Sequence, residues 1–418
     1  MSKKKKDGLP PGLEGLCRIG VRSKPPCNIP TGHFRLDFII QYGRDPSKVD
    51  LSQVDGYDPG KTLGIPLGKL IEIFGEEGGG KSSIAYRIAG YAQKMGYKVG
   101  WIDAEHSLNK DLATINGCDR DKLAIVDFIN YDDPEKPIHA EDAFDIMMSM
   151  MGKKKDGGWA ETDIKVIVLD SVANLVPKAL FEANTEQEFM GLLPRLLTKA
   201  LGKLVSYAEK NGTLLVFINQ LREKIGQRYG NPETSPGGHS LKHNASLSLK
   251  ISKKSGKDAN INIPDPETGE DMLIGRHAGV RLVKNRFAKP FTETLDIPIY
   301  YEPYFPEIED IAFDTGRQVK LVSVRHEVFK WKELRIEGKK NFIKHIVDNS
   351  LIDEFINDIK EMASEKGVIL PPEISLYRPL KSGEVSGKSK GQLSGDGEKE
   401  DSSGGEDNPK KARRKTGS

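Results

Sequence analysis

The chain has 418 residues, 37% of them hydrophobic and 30% charged, with a formal net charge of +2. That length holds one large globular domain plus smaller appendages, and near-neutrality means that any nucleic-acid surface must be a local one. Three cysteines without CxxC spacing exclude a disulfide framework and a zinc site, and no apolar run reaches membrane-spanning length.

The expected compartment is the cytoplasm. The basic start, MSKKKKDGLPPG, lacks the apolar segment of a secretory signal. Residues 1–28 form an N-terminal segment rich in Lys, Pro and Gly, expected to be partly disordered, with a candidate oligomerisation strand at CRIGV. IPTGHFRLDFII (29–40) has core-like periodicity, and 41–62, with several Asp, Gly and Pro, reads as an inserted surface loop. From Gly64 strands alternate with helices. KLIEIF is a strand, KSSIAYRIAGYAQKMG a helix with Ile84, Ile88, Tyr91 and Met95 on one face, and KVGWID the next strand. IKVIVLD and TLLVFINQ are continuous apolar runs, as expected of strands covered on both faces, with the helix GLLPRLLTKALGKLVSYAEK between them. ASLSLKI, AGVRLVKN and FTETLDIPIYY read as further strands. The predicted class is α/β, with a mostly parallel central sheet and an antiparallel edge. The core spans 29–320. A small α+β domain (321–377) follows, built on FKWKELRIE and two amphipathic helices at 342–348 and 351–363. The tail, 378–418, is Gly-, Ser- and charge-rich without periodicity and is expected to be disordered. Its acidic block and the basic KKARRK fit a solubilising tail better than a specific binding element.

GEEGGGKS (75–82) matches G-x-x-x-x-G-K-S between a strand and a helix, the context that distinguishes a P-loop from a chance Gly-rich turn. Gly75, Glu76, Glu77, Gly78, Gly79, Gly80, Lys81, Ser82 and Ser83 are therefore the candidate nucleotide cradle. Backbone N–H groups and the helix N-terminus face the phosphates, Lys81 reaches the β/γ-phosphates, and the Ser82 hydroxyl ligates Mg²⁺. Asp170 ends a buried strand at the ligand-binding sheet edge and is the expected second metal group; capping the next helix is the alternative. Glu105, just after KVGWID, is placed to orient or deprotonate a water. Gln220, at the end of TLLVFINQ, can sense a γ-phosphate through its amide. By themselves these two are equally readable as a surface acid and a strand-end amide.

GEEGGGKSS, WIDAEHSL, VIVLDSVANLVPKA, FINQLREKIGQRYGNPETSPGG and RLVKNRFAKPF follow one another as in the bacterial RecA recombinase family, which the chain resembles from about Ile29 to Ala363. The resemblance implies a DNA-dependent ATPase that forms a helical filament, a homo-oligomer, on single-stranded DNA. It pairs that strand with homologous duplex DNA and exchanges strands; the implied cofactors are ATP and Mg²⁺, and no membrane is involved. It assigns Glu105 to water activation, Asp170 to the metal and Gln220 to γ-phosphate sensing. Lys284 and Arg286 would reach the neighbouring subunit's γ-phosphate, where otherwise an edge strand defended by charge is the simpler reading.

The twenty-residue stretch Gln220–His239, far too long and polar for an ordinary connection after a core strand, corresponds to the family's second DNA-binding loop. There Arg222, Lys224 and Arg228 can neutralise phosphates, Tyr229 can stack on bases, and Gly237 and Gly238 let the backbone come close. The preceding loop, 180–189, matches the first DNA loop by position but has no Lys or Arg; Phe181 and Phe189 are candidate hydrophobic anchors.

The chain also departs from the family. The long N-terminal helix is missing, and the insertion at 41–62 has no counterpart. Leu112 stands where the family stacks a Tyr on adenine, and His243 where it has an interface Phe. The segment 253–278 is longer and reads as a surface hairpin, and the tail ends basic. Such termini fit a bacteriophage or otherwise divergent member. Trp331, Lys332, Arg335, Lys339 and Lys340 are expected to form a basic, aromatic-bearing surface for duplex DNA, or simply a solvated hairpin. A non-catalytic recombination mediator is disfavoured by Glu105, Asp170 and Lys81, and a ring helicase by VKNRFAKPF and the DNA-loop sequence.

Overall fold

A computed structural model describes residues 27–58, 61–128, 137–154, 156, 158, 160–181, 191–223, 233–234, 238–256, 259–264, 270–301, 308–368 and 370–375. The expected strand at CRIGV and the charged tail lie outside these residues.

A nine-stranded sheet organises the core. Strands Leu247–Lys253, Leu70–Gly75, Leu214–Gln220, Ile164–Asp170, Lys98–Asp103 and Leu123–Val126 lie side by side in that order, all parallel. The continuous apolar runs exist because both faces are covered. Val166 and Val168 enter the core beneath the helix Lys81–Lys94, while Ile167 and Leu169 enter the opposite core with Phe144 and Met147 of Ala140–Met150 and with Leu197, Leu201 and Leu204 of Leu192–Asn211. The face predicted for the first helix is the buried one: Ile84, Ile88 and Tyr91 are enclosed and Met95 packs against them.

The antiparallel edge follows Leu247–Lys253. It consists of Asp271–Asn285, flanked by Asn260–Pro264 and Thr294–Tyr300. The extra length at 253–278 forms the expected hairpin, Asn260–Pro264 against the start of Asp271–Asn285, and it widens the main sheet at its edge. A correction concerns 41–62. The segment forms the short 3₁₀ turns Pro46–Lys48 and Leu51–Gln53, and Leu51, Val54 and Leu63 bury a small core of their own with Phe34 and Phe38 of the helix Phe34–Tyr42. Scattered Asp, Gly and Pro mask these apolar residues in the sequence.

Beyond the sheet, Ser323–Arg325, Val328–Trp331 and Leu334–Glu337 form a three-stranded antiparallel sheet against helices Lys339–Asp348 and Ile352–Lys366. The helix Ile308–Gln318 contributes Phe313 to the same core, edge-on to Phe329 at 4.9 Å and Phe342 at 5.3 Å. The short helix Pro372–Ser375 adds Ile374 to the same core, and its Glu373, 1% exposed, pairs with Arg87 of the helix Lys81–Lys94 at 2.8 Å.

Candidate nucleotide site

The P-loop leaves its strand at Gly75, whose φ of +156° and contact with the neighbouring strand admit no side chain: a Cβ there would lie 1.9 Å from the Ile251 carbonyl oxygen. Gly75→Ala is expected to destabilise the fold by about 1–3 kcal/mol through forced separation of two core strands, as read by chemical denaturation. Gly78 and Gly80 also have positive φ, and Gly80 opens the helix that begins at Lys81. Lys81 is largely enclosed and donates to the Glu76 carbonyl at 2.7 Å, folded over the loop whose phosphate it is expected to meet. Burial pulls its pKa down, while the acids Glu105, Asp170 and Glu77 pull it back up.

Ser82 Oγ donates to Asp170 Oδ2 at 3.0 Å, so helix start and strand end meet as expected. Asp170 is 1% exposed, and its other oxygen, Oδ1, has no hydrogen-bond partner. Burial pushes the Asp170 carboxyl up to about 7; the Ser82 hydrogen bond opposes this and the nearby Glu105 charge adds to it. An enclosed carboxylate with an orphaned oxygen beside a hydroxyl at a P-loop fits a hard divalent cation.

Asp170 also anchors the next loop. Its carbonyl accepts N–H bonds from Ala104 at 2.8 Å and Glu105 at 3.2 Å. The Asp103 carboxylate holds the same loop by accepting from the Ser107 and Leu108 N–H groups, each at 3.1 Å. The Asn109 N–H donates to the hydroxyl of Tyr86, whose ring stacks on Trp101 at 4.6 Å. Sequence reading missed Asp103 as a loop anchor; the signal was an acid at a strand end immediately before a turn.

Gln220 Nε2 donates directly to Glu105 Oε1. The next residue, Leu221, donates its N–H to the Gly75 carbonyl at 3.2 Å. The cradle, the acid expected to face the metal, the expected water-activating acid and the expected sensor therefore converge on the carboxyl edge of the parallel sheet, where α/β proteins bind ligands.

The RecA N-terminal domain profile matches residues 58–304. The RecA protein of Clostridium acetobutylicum is 34% identical over 313 residues, covering 72% of this chain and 81% of that protein. The Deinococcus radiodurans RecA is 33% identical over 349 residues, 83% of each, and the Thermus thermophilus RecA 31% identical over 357 residues, 85% of this chain and 91% of that one. The chain belongs to the RecA family.

As a RecA-family protein it binds ATP and acts in ATP-dependent recombination and DNA repair, with strand-exchange function and DNA-dependent ATPase activity. RecA homologues bind DNA and form filaments. Among the described residues no helix is long and apolar enough to cross a membrane.

Lys284 and Arg286 do not join their own subunit's P-loop. Lys284 pairs across strands with Ser248, which in turn pairs with Glu72, three residues before Gly75. Lys284 Nζ donates to the carbonyls of Lys242 at 2.6 Å and His243 at 3.0 Å, and Arg286 Nη2 to His243 at 3.0 Å. Both cations thus sit at the C-terminal end of the helix Gly238–Asn244, the favourable end of its dipole. Lys242 joins this cluster, since it and Arg286 both depress the Lys284 pKa after burial has lowered it. Sequence reading missed Lys242, which is remote in the chain from VKNRFAKPF.

The helix Gly238–Asn244 closes the second loop. At the loop's start, Arg222–Glu223 pairs with Glu233–Thr234 as a short antiparallel ribbon. Lys224, Arg228, Tyr229 and Gly237 lie outside the described residues. So does most of the first loop, including Phe189, while Phe181 ends the helix Lys178–Phe181. Leu112, in Lys110–Ile115, packs against the first core, and His243 is exposed.

The basic surface expected in the C-terminal domain is only partly there. Trp331 is 2% exposed and donates to Asp358 at 3.0 Å, so it is a core residue and not a stacking platform. Lys332 pairs with Glu354 and Asp358, and Lys339 with Asp310 and Asp314; Arg335 and Lys340 are exposed. The acids come from helices that the FKWKELRIEGKK motif does not reveal.

Proposed function

We propose that ATP and Mg²⁺ bind at Gly75–Ser83 with Ser82 and Asp170 facing the ion, and that hydrolysis is completed across a subunit interface of a filament on single-stranded DNA. Bound there, Mg²⁺ would neutralise charge on the β- and γ-phosphates. Lys81 swings from the Glu76 carbonyl to the same phosphates. Glu105 takes the proton of the attacking water, and Gln220 reports whether a γ-phosphate is present. Lys284 and Arg286 leave their helix-end carbonyls for the neighbour's γ-phosphate and stabilise transition-state charge; that both donate to the Lys242 and His243 carbonyls and not to their own P-loop supports a role in trans. Arg222, Lys224, Arg228, Tyr229, Gly237 and Gly238 contact the single strand, which pairs with homologous duplex. This machinery lies in 29–320 and an accessory domain in 321–377, onto whose core the helix Ile308–Gln318 also packs, and the protein works in the cytoplasm.

The observation that carries this reading is the Gln220–Glu105 hydrogen bond. It joins the carboxylate that takes the water's proton to the residue from which the DNA loop departs, which supports coupling of a change at the γ-phosphate to a change in the loop. Strand exchange between a circular single strand and homologous linear duplex tests it: joint molecules are expected with ATP and none without, and nucleotide-independent exchange would overturn the coupling. Arg228→Ala is expected to weaken single-strand binding and lower the salt slope by about 0.7, the release from one phosphate. An unchanged slope removes Arg228 from the phosphate contacts.

A further inference from the structure

Behind Gln220, on the opposite face of the sheet, lies a buried polar chain that no nucleotide contact explains. Glu72 sits in the middle of the P-loop strand and is 3% exposed, in a position that otherwise belongs to an apolar core. Its Oε1 accepts from Asn219 Nδ2 at 3.2 Å, and its Oε2 from Ser248 Oγ at 3.4 Å. Asn219 is fully buried and its Oδ1 accepts the Gln220 N–H at 3.1 Å. Ser248 is the cross-strand partner of Lys284. One carboxylate thereby touches the strand that presents Gln220 and the strand beside the Lys284 edge, while belonging to the strand that ends in the P-loop.

A buried carboxyl group is costly where an apolar residue would pack, so its retention in this place calls for a role. Asn219 holds the main chain of Gln220 at the point where strand becomes loop, and Glu72 holds Asn219. From this juxtaposition of Glu72, Asn219, Ser248 and the Gln220 main chain, we propose that Glu72 is a positioning residue for Gln220. It fixes the sensor in register with the P-loop and ties it to the sheet edge that bears Lys284. This inference rests on the sensing role of Gln220 proposed above.

A double-mutant cycle tests it. Glu72→Leu, of similar volume, is expected to lower DNA-stimulated kcat about tenfold with little change in ATP affinity, because the cradle is untouched and only sensor geometry suffers. Glu72→Gln keeps both hydrogen-bonding positions and is expected to recover most of that loss. In a Gln220→Ala background Glu72→Leu is expected to have no further effect, since the positioned group is gone. Asn219→Ala severs the same path without altering the carboxylate and serves if Glu72→Leu does not fold. Wild-type kcat in Glu72→Leu, or in Asn219→Ala should that be the variant that folds, overturns the proposal. So does a Glu72→Leu loss that multiplies fully with that of Gln220→Ala. Normal, ATP-coupled turnover in Gln220→Ala alone would instead remove the sensing role itself, a separable result.

Discussion

Lys284→Ala or Arg286→Ala is expected to lower DNA-stimulated ATP hydrolysis by about 10³–10⁵-fold, the range of an arginine finger supplied by a neighbour. The isolated subunit should remain folded. In the free chain these cations hydrogen-bond the Lys242 and His243 carbonyls, and a cation at a partly exposed helix end stabilises by about 0.3–1 kcal/mol. Mixing distinguishes action in trans from action in cis. A Lys284→Ala subunit retains its own Glu105, and a Glu105→Gln subunit retains its own Lys284. Mixed filaments therefore contain interfaces with both groups intact and are expected to recover hydrolysis that neither variant shows alone. Absence of recovery in filaments shown to be mixed, or normal turnover in the single variants, rules out the cross-subunit role.

Glu105→Gln is expected to reduce hydrolysis by about 10²–10⁴-fold, the usual worth of a general base, while leaving ATP and single-strand binding in place. The reason is specific to this site. A glutamine at 105 keeps an oxygen that can accept from Gln220 Nε2, so the link from nucleotide to loop survives while proton acceptance is lost. Glu105→Ala removes both, and its DNA affinity should also lose its dependence on ATP. Measuring single-strand affinity with and without ATP in the two variants separates chemistry from signalling. Equal ATP dependence in both would mean that the Gln220–Glu105 contact carries no signal.

What could be read from the sequence alone is what repeats a local physical pattern. Val166–Leu169 announces a strand covered on both faces because every residue is apolar, and Gly75–Ser82 announces a phosphate cradle because glycines, lysine and serine fall between strand and helix. The placing of Glu105, Asp170 and Gln220 was legible for a related reason: each lies at or just past the end of an apolar strand, and strand ends in a parallel sheet share one edge. The tertiary structure alone decided everything that depends on partners distant in the chain. Trp331 reads as an exposed aromatic in a basic stretch, yet Asp358 and Phe355 enclose it. Residues 41–62 read as a loop, yet Leu51 and Val54 fold back onto Phe38. Glu72 is an isolated acid in KLIEIF until Asn219 and Ser248 arrive beside it from two other strands. A side chain's identity states what it can bond to, but a buried polar group acquires its role only when the fold brings its partner within reach.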